Sequence, residues 1–239
     1  SRGMGWQAGY RTISFLQMAL TLILLLSLPL WKKQELPLSG GETVRPQTPQ
    51  WGKLLKRPGV KAALTAFFFY SALELTTGLW GSSYMVAVRG ISAETAAKWI
   101  SLFYLGITAG RFFSGFLTLR FSDDAMVRLG EGTAIVGILL MLLPLHNLFL
   151  CLGLILTGLG CAPIYPSLLH ATPQRFGAAL SQSLMGTQMA ISYLGSTTMP
   201  PVSGFLSEKI SMGLYPVLLL VFALCMTILT EKGRHCTAE

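Results

Sequence analysis

The sequence predicts an all-α integral membrane protein with seven transmembrane helices, of which the last six form two inverted three-helix repeats. Three observations lead to this fold class. Hydrophobic residues make up 52% of the 239-residue chain and charged residues only 12%, against about 25% in soluble domains, so a soluble surface could not be covered. The few charges separate long apolar runs. A segment at the end of the third run reappears at the end of the sixth.

The charged residues mark where each predicted helix crosses the membrane. A crossing needs about 20 apolar residues for a hydrocarbon core of roughly 30 Å. The runs long enough for one crossing each are 12–31, 62–88 (interrupted by Glu74), 99–119 (interrupted by Arg111), 176–207 and 210–230. The uncharged stretch 132–174 is long enough for two, with a turn expected at Pro144-Leu145-His146-Asn147. We expect helices, because backbone groups in lipid must be satisfied internally and the runs lack the alternation of strands.

The Lys and Arg residues predict the orientation and the parts of the chain. Most of the 18 lie on the side that carries 32–59 and the C-terminus, and this excess predicts that the side is cytoplasmic. Segment 32–59 is rich in Pro, Gly and charge, as flexible linkers are. We therefore expect the last helix of a missing N-terminal bundle in 1–31, a cytoplasmic linker in 32–59, a six-helix bundle in 60–231 and a cytoplasmic tail in 232–239. The start at Ser1, without an initiator Met, favours a fragment of a longer protein.

Residues 104–117 (YLGITAGRFFSGFL) are repeated in residues 193–206 (YLGSTTMPPVSGFL). The identical pairs are Tyr104/Tyr193, Leu105/Leu194, Gly106/Gly195, Thr108/Thr197, Ser114/Ser203, Gly115/Gly204, Phe116/Phe205 and Leu117/Leu206. Three spans separate the copies, so they cross the membrane in opposite directions. Inverted three-helix repeats are a construction principle of secondary transporters. The repeat therefore favours transport by alternating access.

Further groups of residues follow the pattern of a known family. They are Tyr70-Ser-Ala-Leu-Glu74 with Trp80 and Tyr84, Gly110-Arg111, the segment from Gly158 to Pro166, and Gly186-Thr-Gln188 through Gly195 to Pro200-Pro201 and Gly204. With these residues the chain resembles the C-terminal half of a major facilitator superfamily transporter, and most of all the fucose-permease-like sugar:proton symporters. The resemblance implies a twelve-helix carrier whose N-terminal six-helix half is missing. It also implies a small polar solute such as a sugar, a coupled proton and a bacterial inner membrane.

The loop after the third span departs from the family pattern. The family has a GxxxDRxGR-type loop, which here is Gly115-Phe-Leu-Thr-Leu119-Arg120. Leu119 stands where the acid would be, so one partner of the expected ion pair is lost. We treat Gly115 and Arg120 as gating or structural candidates.

Glu74 is the candidate proton-coupling residue. It lies midway between residues 62 and 86, near the expected bilayer centre, where a charge costs at least about 2.5 kcal/mol and an acid usually marks a substrate or proton path. Helical spacing places Tyr70 and Thr77 on the same face, and we expect them, with Trp80, to line a cavity. The alternative is a buried carboxyl hydrogen-bonded to a neighbouring helix.

Arg111 is the one cation expected inside the membrane. Because arginine does not deprotonate in proteins, it needs anions or carbonyls as partners. Three arrangements are open: an ion pair with Glu74, a bound anion, or a structural lock between helix ends.

Two further helices carry candidate residues. Gln188 and Ser192 lie on one stripe, and glutamine suits recognition of a solute hydroxyl because it donates and accepts hydrogen bonds; the alternative is an interhelical bond. Pro163 and Pro166 are expected to break the regularity of their helix, either as a moving kink or as part of small-residue packing. Tyr165 between them would act as a gate.

Other functional classes are disfavoured. His146, His170 and His235 have no clustered acid or nucleophile, so catalysis is not expected, and no cofactor or metal site is predicted. The basic residues are scattered, which argues against binding of nucleic acid. The expected partners are the lipid bilayer, the missing half, a small solute and a proton. A proton-coupled drug or metabolite efflux carrier is the main alternative, and a seven-helix receptor is a weaker one.

Overall fold

The computed structural model describes residues 6–31, 52, 55–144 and 146–238. These residues form helices and short connections, and the chain divides into two compact units, 1–47 and 48–239. The first unit contains helix α1 (Trp6–Trp31), whose segment Gly9–Leu30 is long and apolar enough to cross a membrane. The predicted linker 32–59 lies largely outside the described residues.

The second unit contains six long helices and one short one. They are α2 (Val60–Ala87), α3 (Ala93–Leu117), α4 (Asp123–Leu142), α5 (Asn147–His170), the short α6 (Thr172–Phe176), α7 (Ala178–Lys209) and α8 (Tyr215–Ala238). The turn expected near 144–147 is confirmed, since α4 ends at Leu142 and α5 begins at Asn147. Helix α8 continues to Ala238 and so includes most of the predicted tail 232–239, whose cytoplasmic location stays a prediction.

Short polar residues begin two of the helices. The Ser92 side chain accepts a hydrogen bond from the Thr95 backbone N–H at the start of α3, and Ser122 accepts one from Ala125 at the start of α4. Such caps satisfy backbone donors that have no partner within the helix. The connections can therefore stay short, which keeps successive helices antiparallel.

The helix α7 differs in composition from the other long helices. Six described helical segments are apolar enough to span a membrane, and α7 is not among them. It is nevertheless 32 residues long, or about 48 Å as a helix. Its Ser, Thr and Gln residues are tolerated because several of them are buried against α2 and α6 rather than facing lipid.

The six long helices of the second unit form two triplets, α2–α3–α4 and α5–α7–α8. The first helix of each triplet packs on the second and third helices of the other: α2 on α7 and α8, and α5 on α3 and α4. Exchanging the two triplets therefore gives the same set of helix–helix contacts. The predicted inverted repeat is confirmed by this pattern.

Two glycines fix the register of the repeat. A Cβ at Gly106 of α3 would lie 2.7 Å from the carbonyl oxygen of Ile155, and a Cβ at Gly195 of α7 would meet the carbonyl oxygen of Phe68. Ile155 is the ninth residue of α5 and Phe68 the ninth residue of α2. The predicted correspondence of Gly106 with Gly195 is therefore confirmed, and only glycine allows the helices to approach so closely.

We call the end of the bundle that contains residues 117–123 and 170–177 the inner end, and the end that contains residues 88–92 and 209–214 the outer end. The charge distribution predicts that the inner end is cytoplasmic.

Candidate transport site

An ion pair lies inside the bundle between α2 and α3. Arg111 Nη2 is 3.7 Å from Glu74 Oε1, and the two side chains are 58% and 27% exposed, respectively. Of the three arrangements left open for Arg111, the structure therefore contains the pair with Glu74. The distance exceeds that of a hydrogen bond, so the pair is loose and both groups keep free polar atoms.

Arg111 also lines a cavity, which we call the inner cavity. It has a volume of about 960 Å³ and extends toward the inner end. The remaining lining residues are Ser114, Gly115, Thr118, Phe121, Ser122, Asp123, Tyr165, Pro166, Ser167, His170 and Gln174. Glu74 is not among them and reaches the cavity only through Arg111. Polar groups such as those of Ser114, Ser167 and Gln174 interrupt a mainly apolar wall, and apolar surface with a few placed polar groups is typical of small-molecule sites.

The mouth of the inner cavity is closed on one side by ion pairs between helices. His170 Nδ1 lies 2.8 Å from Asp123 Oδ2, and Arg175 pairs with Asp124. Asp123 and Asp124 begin α4, whereas His170 ends α5. The pairs connect the two triplets at the inner end, where the acids also interact favourably with the start of a helix.

Tyr70 and Thr77 lie between helices in this structure rather than on the cavity wall. Both are buried. The Tyr70 hydroxyl donates to the Cys161 carbonyl oxygen at 3.2 Å, and the Tyr215 hydroxyl donates to the Thr77 carbonyl oxygen at 3.0 Å. The face expected to line a cavity packs instead on α5 and α8, while the Thr77 hydroxyl donates to the Leu73 carbonyl oxygen within α2. A role in binding stays a prediction for both residues.

Gln188 and Ser192 are likewise held between helices. Gln188 is 1% exposed and exchanges two hydrogen bonds with the Thr172 hydroxyl, at 3.0 and 3.1 Å. Ser192 is hydrogen-bonded to Ser71 of α2. The interhelical arrangement, one of the two left open by the sequence, is the one present here. Thr172 comes into reach because Gly177, at φ 87°, turns the chain between α6 and α7.

Trp80 belongs to the outer end. Its Nε1 donates to the Pro200 carbonyl oxygen at 2.8 Å, and its ring occupies the space beside Gly204. It borders a second, smaller pocket of about 550 Å³ together with Pro201 and Met212. Trp80 is thus remote from the inner cavity, and its predicted contact with solute stays a prediction.

The helix α5 passes through Pro163 and Pro166 without interruption. A moving kink at these prolines stays a prediction, whereas the small-residue packing that was its alternative is present. The helix continues because small residues before them pack tightly: a Cβ at Gly130 of α4 would lie 2.6 Å from the Gly160 carbonyl oxygen and 2.9 Å from the Pro163 ring. Tyr165 and Pro166 do face the inner cavity, so a gating role for them remains open to test.

The gating candidates at the third loop differ in surroundings. Gly115 lines the inner cavity, and no heavy atom lies within 4 Å of the position its Cβ would take. Arg120 is exposed and forms no ion pair with another described residue. Leu119 beside it is 82% exposed, as expected where the family's acid is replaced.

Glu131 is a buried acid that sequence reasoning treated only as the boundary of a span. Its Oε1 accepts a hydrogen bond from the Thr230 hydroxyl at 2.7 Å, whereas Oε2 is buried without a partner. Its burial depends on how α4 and α8 face each other, which the apolar pattern of the two helices does not indicate.

The described residues contain no group of three or more His, Cys, Asp or Glu side chains able to hold a metal ion. The four cysteines are free thiols. The polar chemistry of the described bundle is therefore concentrated in the Glu74–Arg111 pair and the inner cavity.

A membrane bundle of two inverted triplets, with an ion pair between two of its helices and a cavity beside that pair, has the construction of a class of protein, the secondary carriers. The family model described as Major Facilitator Superfamily matches residues 82–233. The chain belongs to this superfamily.

Individual relatives agree with this assignment. The chain is 23% identical over 197 residues to "Bypass of stop codon protein 6" of Saccharomyces cerevisiae, covering 76% of this chain and 38% of that protein. Among solved structures, it matches the E. coli fucose:proton symporter FucP with a TM-score of 0.64 and 20% identity, covering 77% of this chain and 44% of that one. A structure of FucP in the outward conformation matches equally well. The chain thus spans about two fifths of the length of these relatives.

Proposed function

We propose that the chain is one half of a secondary active transporter that moves a small polar solute by alternating access. The observation that carries the proposal is the loose Glu74–Arg111 pair beside the inner cavity, within one bundle of two inverted triplets. In such carriers the solute site lies at the interface of repeats near the membrane midplane. A carrier built this way needs a second six-helix half, and we call the two halves together the assembled carrier.

The finer features of the proposal are a sugar-like solute and a coupled proton. Hydroxyl and amide groups of Ser114, Tyr165, Ser167 and Gln174 on the cavity wall support a hydroxylated solute, because they both donate and accept hydrogen bonds. Glu74 supports proton coupling, because a low-dielectric environment disfavours a charged carboxylate.

Transport assays in liposomes test the proposal. The chain reconstituted alone should show no saturable uptake of any solute, because an alternating-access site needs two bundles. Co-reconstitution with the complementary half should restore saturable uptake of a small polar solute. Saturable uptake by the chain alone would contradict the assignment as half of a carrier, and so would an assembled carrier that takes up no polar solute.

The orientation is a second part of the proposal. We infer that the inner end faces the cytoplasm, from the excess of Lys and Arg on that side. A membrane-impermeant thiol reagent applied to intact cells should not label a cysteine placed at Arg120, but should label one placed at Lys98. The reverse labelling pattern would overturn the orientation.

A further inference from the structure

Arg111 is a cation with unused hydrogen-bond donors. Its contact with Glu74, at 3.7 Å, is longer than a hydrogen bond, and it forms no hydrogen bond with any other described residue. A guanidinium carries five N–H donors in a planar fork and stays charged at all physiological pH values. Since Arg111 lines the inner cavity, a ligand in that cavity can reach these donors.

The rest of the cavity wall matches a ligand with hydroxyl groups. The Tyr165 and Ser167 hydroxyls and the Gln174 amide line the cavity and make no hydrogen bond within the described part of the chain. Asp123 is the only acid among the lining residues, and it lies at the mouth, paired with His170 at 2.8 Å. The interior of the cavity therefore combines one cation with neutral polar groups.

We propose that the inner cavity binds a hydroxylated carboxylate through Arg111, and that the solute carboxylate displaces Glu74 from Arg111. This inference rests on the proposed function and names the substrate class and the source of coupling. A planar carboxylate fits the guanidinium fork with two parallel hydrogen bonds. Glu74 makes no such bonds in this structure, so the solute gains contacts that the resting pair does not use.

The proton enters because Arg111 is the only charged group near Glu74 among the residues that the structure describes. The other titratable groups that face Glu74 are Tyr70 on its own helix, Tyr104 from α3, and Cys161 and Tyr165 from α5. All four are neutral near pH 7. The hydroxyls that α7 and α8 direct toward α2 are uncharged. Ser192 of α7 is hydrogen-bonded to Ser71, and Tyr215 of α8 donates to the Thr77 carbonyl oxygen.

Sharing one cation makes binding of the anion and the proton cooperative. When a solute carboxylate neutralises Arg111, the Glu74 carboxylate loses its counter-charge and takes up a proton from water, because low dielectric disfavours an unpaired charge. The site then holds one guanidinium, one solute anion and one neutral acid. Anion and proton bind together, and by linkage each raises the affinity for the other by the same factor.

Isothermal titration calorimetry on the 239-residue chain in lipid nanodiscs tests this inference, because every group of the proposed anion contact belongs to this chain. The probes are D-gluconate and its neutral counterpart D-glucose, at pH 6 and pH 8. Gluconate should bind more tightly than glucose, and more tightly at pH 6 than at pH 8, by up to about tenfold for each pH unit, which is the limit for binding linked to the uptake of one proton.

Three variants assign the effect to residues. Arg111→Gln should weaken gluconate binding on the order of 10- to 100-fold, the loss expected for a charge-assisted contact. Glu74→Gln mimics the protonated acid, so it should bind gluconate at pH 8 as tightly as the unmodified chain does at pH 6, without pH dependence. Lys98→Gln removes an exposed cation at the outer end of the same helix, paired with Glu94, and should change nothing.

Several outcomes would overturn the inference. They are no gluconate binding, equal losses in Arg111→Gln and Lys98→Gln, gluconate affinity independent of pH, or loss of binding in Glu74→Gln. Binding of glucose without gluconate would overturn the anionic substrate class while leaving the proposed polar-solute carrier intact. The carrier proposal fails separately, if the assembled carrier transports no polar solute.

Discussion

The two ends of the bundle have the same backbone arrangement and different side chains. At the outer end, the twenty-first residue of α2 is Trp80, whose ring occupies the space beside Gly204 and whose Nε1 bonds to α7. At the inner end, the twenty-first residue of α5 is Ser167, and the space beside Gly115 is open and part of the inner cavity.

The middle of the bundle repeats more faithfully than its ends. Gly106 and Gly195 pack on equivalent carbonyl groups, and Gly158 packs on Phe103 where the other triplet has the Ser71–Ser192 bond. The contacts where helices cross are thus the part of the structure that the two triplets share. Single side chains near the ends determine which end opens a path to the Glu74–Arg111 pair.

The largest expected effect concerns the acid, which occurs in one triplet only. Glu74 is the fifteenth residue of α2, and the fifteenth residue of α5 is Cys161. In the assembled carrier, Glu74→Gln should abolish accumulation of solute driven by a proton gradient while solute exchange continues, because the amide cannot carry a proton. Uptake into liposomes with and without an imposed pH gradient measures both activities.

Cys161→Ala is the matched control for that experiment, because it changes the equivalent position without touching the acid. It should keep both exchange and accumulation. If Glu74→Gln still concentrates solute along a proton gradient, then Glu74 has a structural role and the coupling proposal fails.

The next effect concerns the crossings themselves. Gly106→Val and Gly195→Val should each destabilise the bundle by about 3 kcal/mol, because a branched side chain collides with a backbone carbonyl that cannot move away. Gly186→Ala on α7 has no heavy atom within 4 Å of its Cβ and should leave stability unchanged or slightly raised. Unfolding in mixed SDS micelles compares the three. Strongly unequal losses at Gly106 and Gly195 would show that the two crossings are not energetically equivalent.

Exchanging the residues at the two ends tests the comparison directly. Trp80→Ser should cost about 2 kcal/mol of stability, less than for a fully buried Trp, and should open the space beside Gly204. Ser167→Trp should fill the inner cavity and slow labelling of a cysteine at position 114 several-fold.

The labelling requires a background in which Cys151, Cys225 and Cys236 are replaced by alanine. Ser167→Ala, which preserves the cavity, is the control and should leave the labelling rate at position 114 unchanged. Unchanged labelling in Ser167→Trp would mean that position 114 is reached by another path.

The smallest effect separates the two interior acids. Glu131 is not among the lining residues of the inner cavity and interacts with Thr230 and Thr227 of α8, so Glu131→Gln should leave proton-driven accumulation intact. Thr230→Val should lower stability by about 1 kcal/mol, because the Glu131 carboxyl loses the hydrogen bond from the Thr230 hydroxyl. Thermal denaturation in detergent and gradient-driven uptake give the two readouts. Loss of accumulation in Glu131→Gln would place a second proton site outside the inner cavity.

Much of the fold could be predicted because it depends on length, charge and repetition. The uncharged runs between charged residues predicted the spans, and the Pro144–Asn147 region predicted the turn between α4 and α5. The match of Gly106 with Gly195 predicted the inverted repeat. The site was harder to predict. A membrane helix that is apolar all round has no amphipathic face from which its rotation can be predicted, and rotation decides which polar side chains meet.

Particular residues illustrate that limit. The partner of Gln188 is Thr172, which reaches it only through the turn at Gly177. Glu131 is buried because α4 packs against α8 at this position. The helix α5 passes through Pro163 and Pro166, and Gly130 of α4 packs closely on the Pro163 ring. These outcomes depend on tertiary packing, which no local pattern of residues contains.

The bond from the Tyr70 hydroxyl to the Cys161 carbonyl oxygen has a consequence for how such a bundle can be assembled. It shows that Glu74, one turn beyond Tyr70, and its equivalent Cys161 lie on facing segments of α2 and α5. In a symmetric dimer of one three-helix chain, that position would face its own copy, and two carboxylates there would repel each other in low dielectric. Covalent fusion of the triplets removes this constraint, since each position can then differ from its copy. A lone acid with one cationic partner is therefore compatible with a fused chain and not with a symmetric dimer of identical triplets.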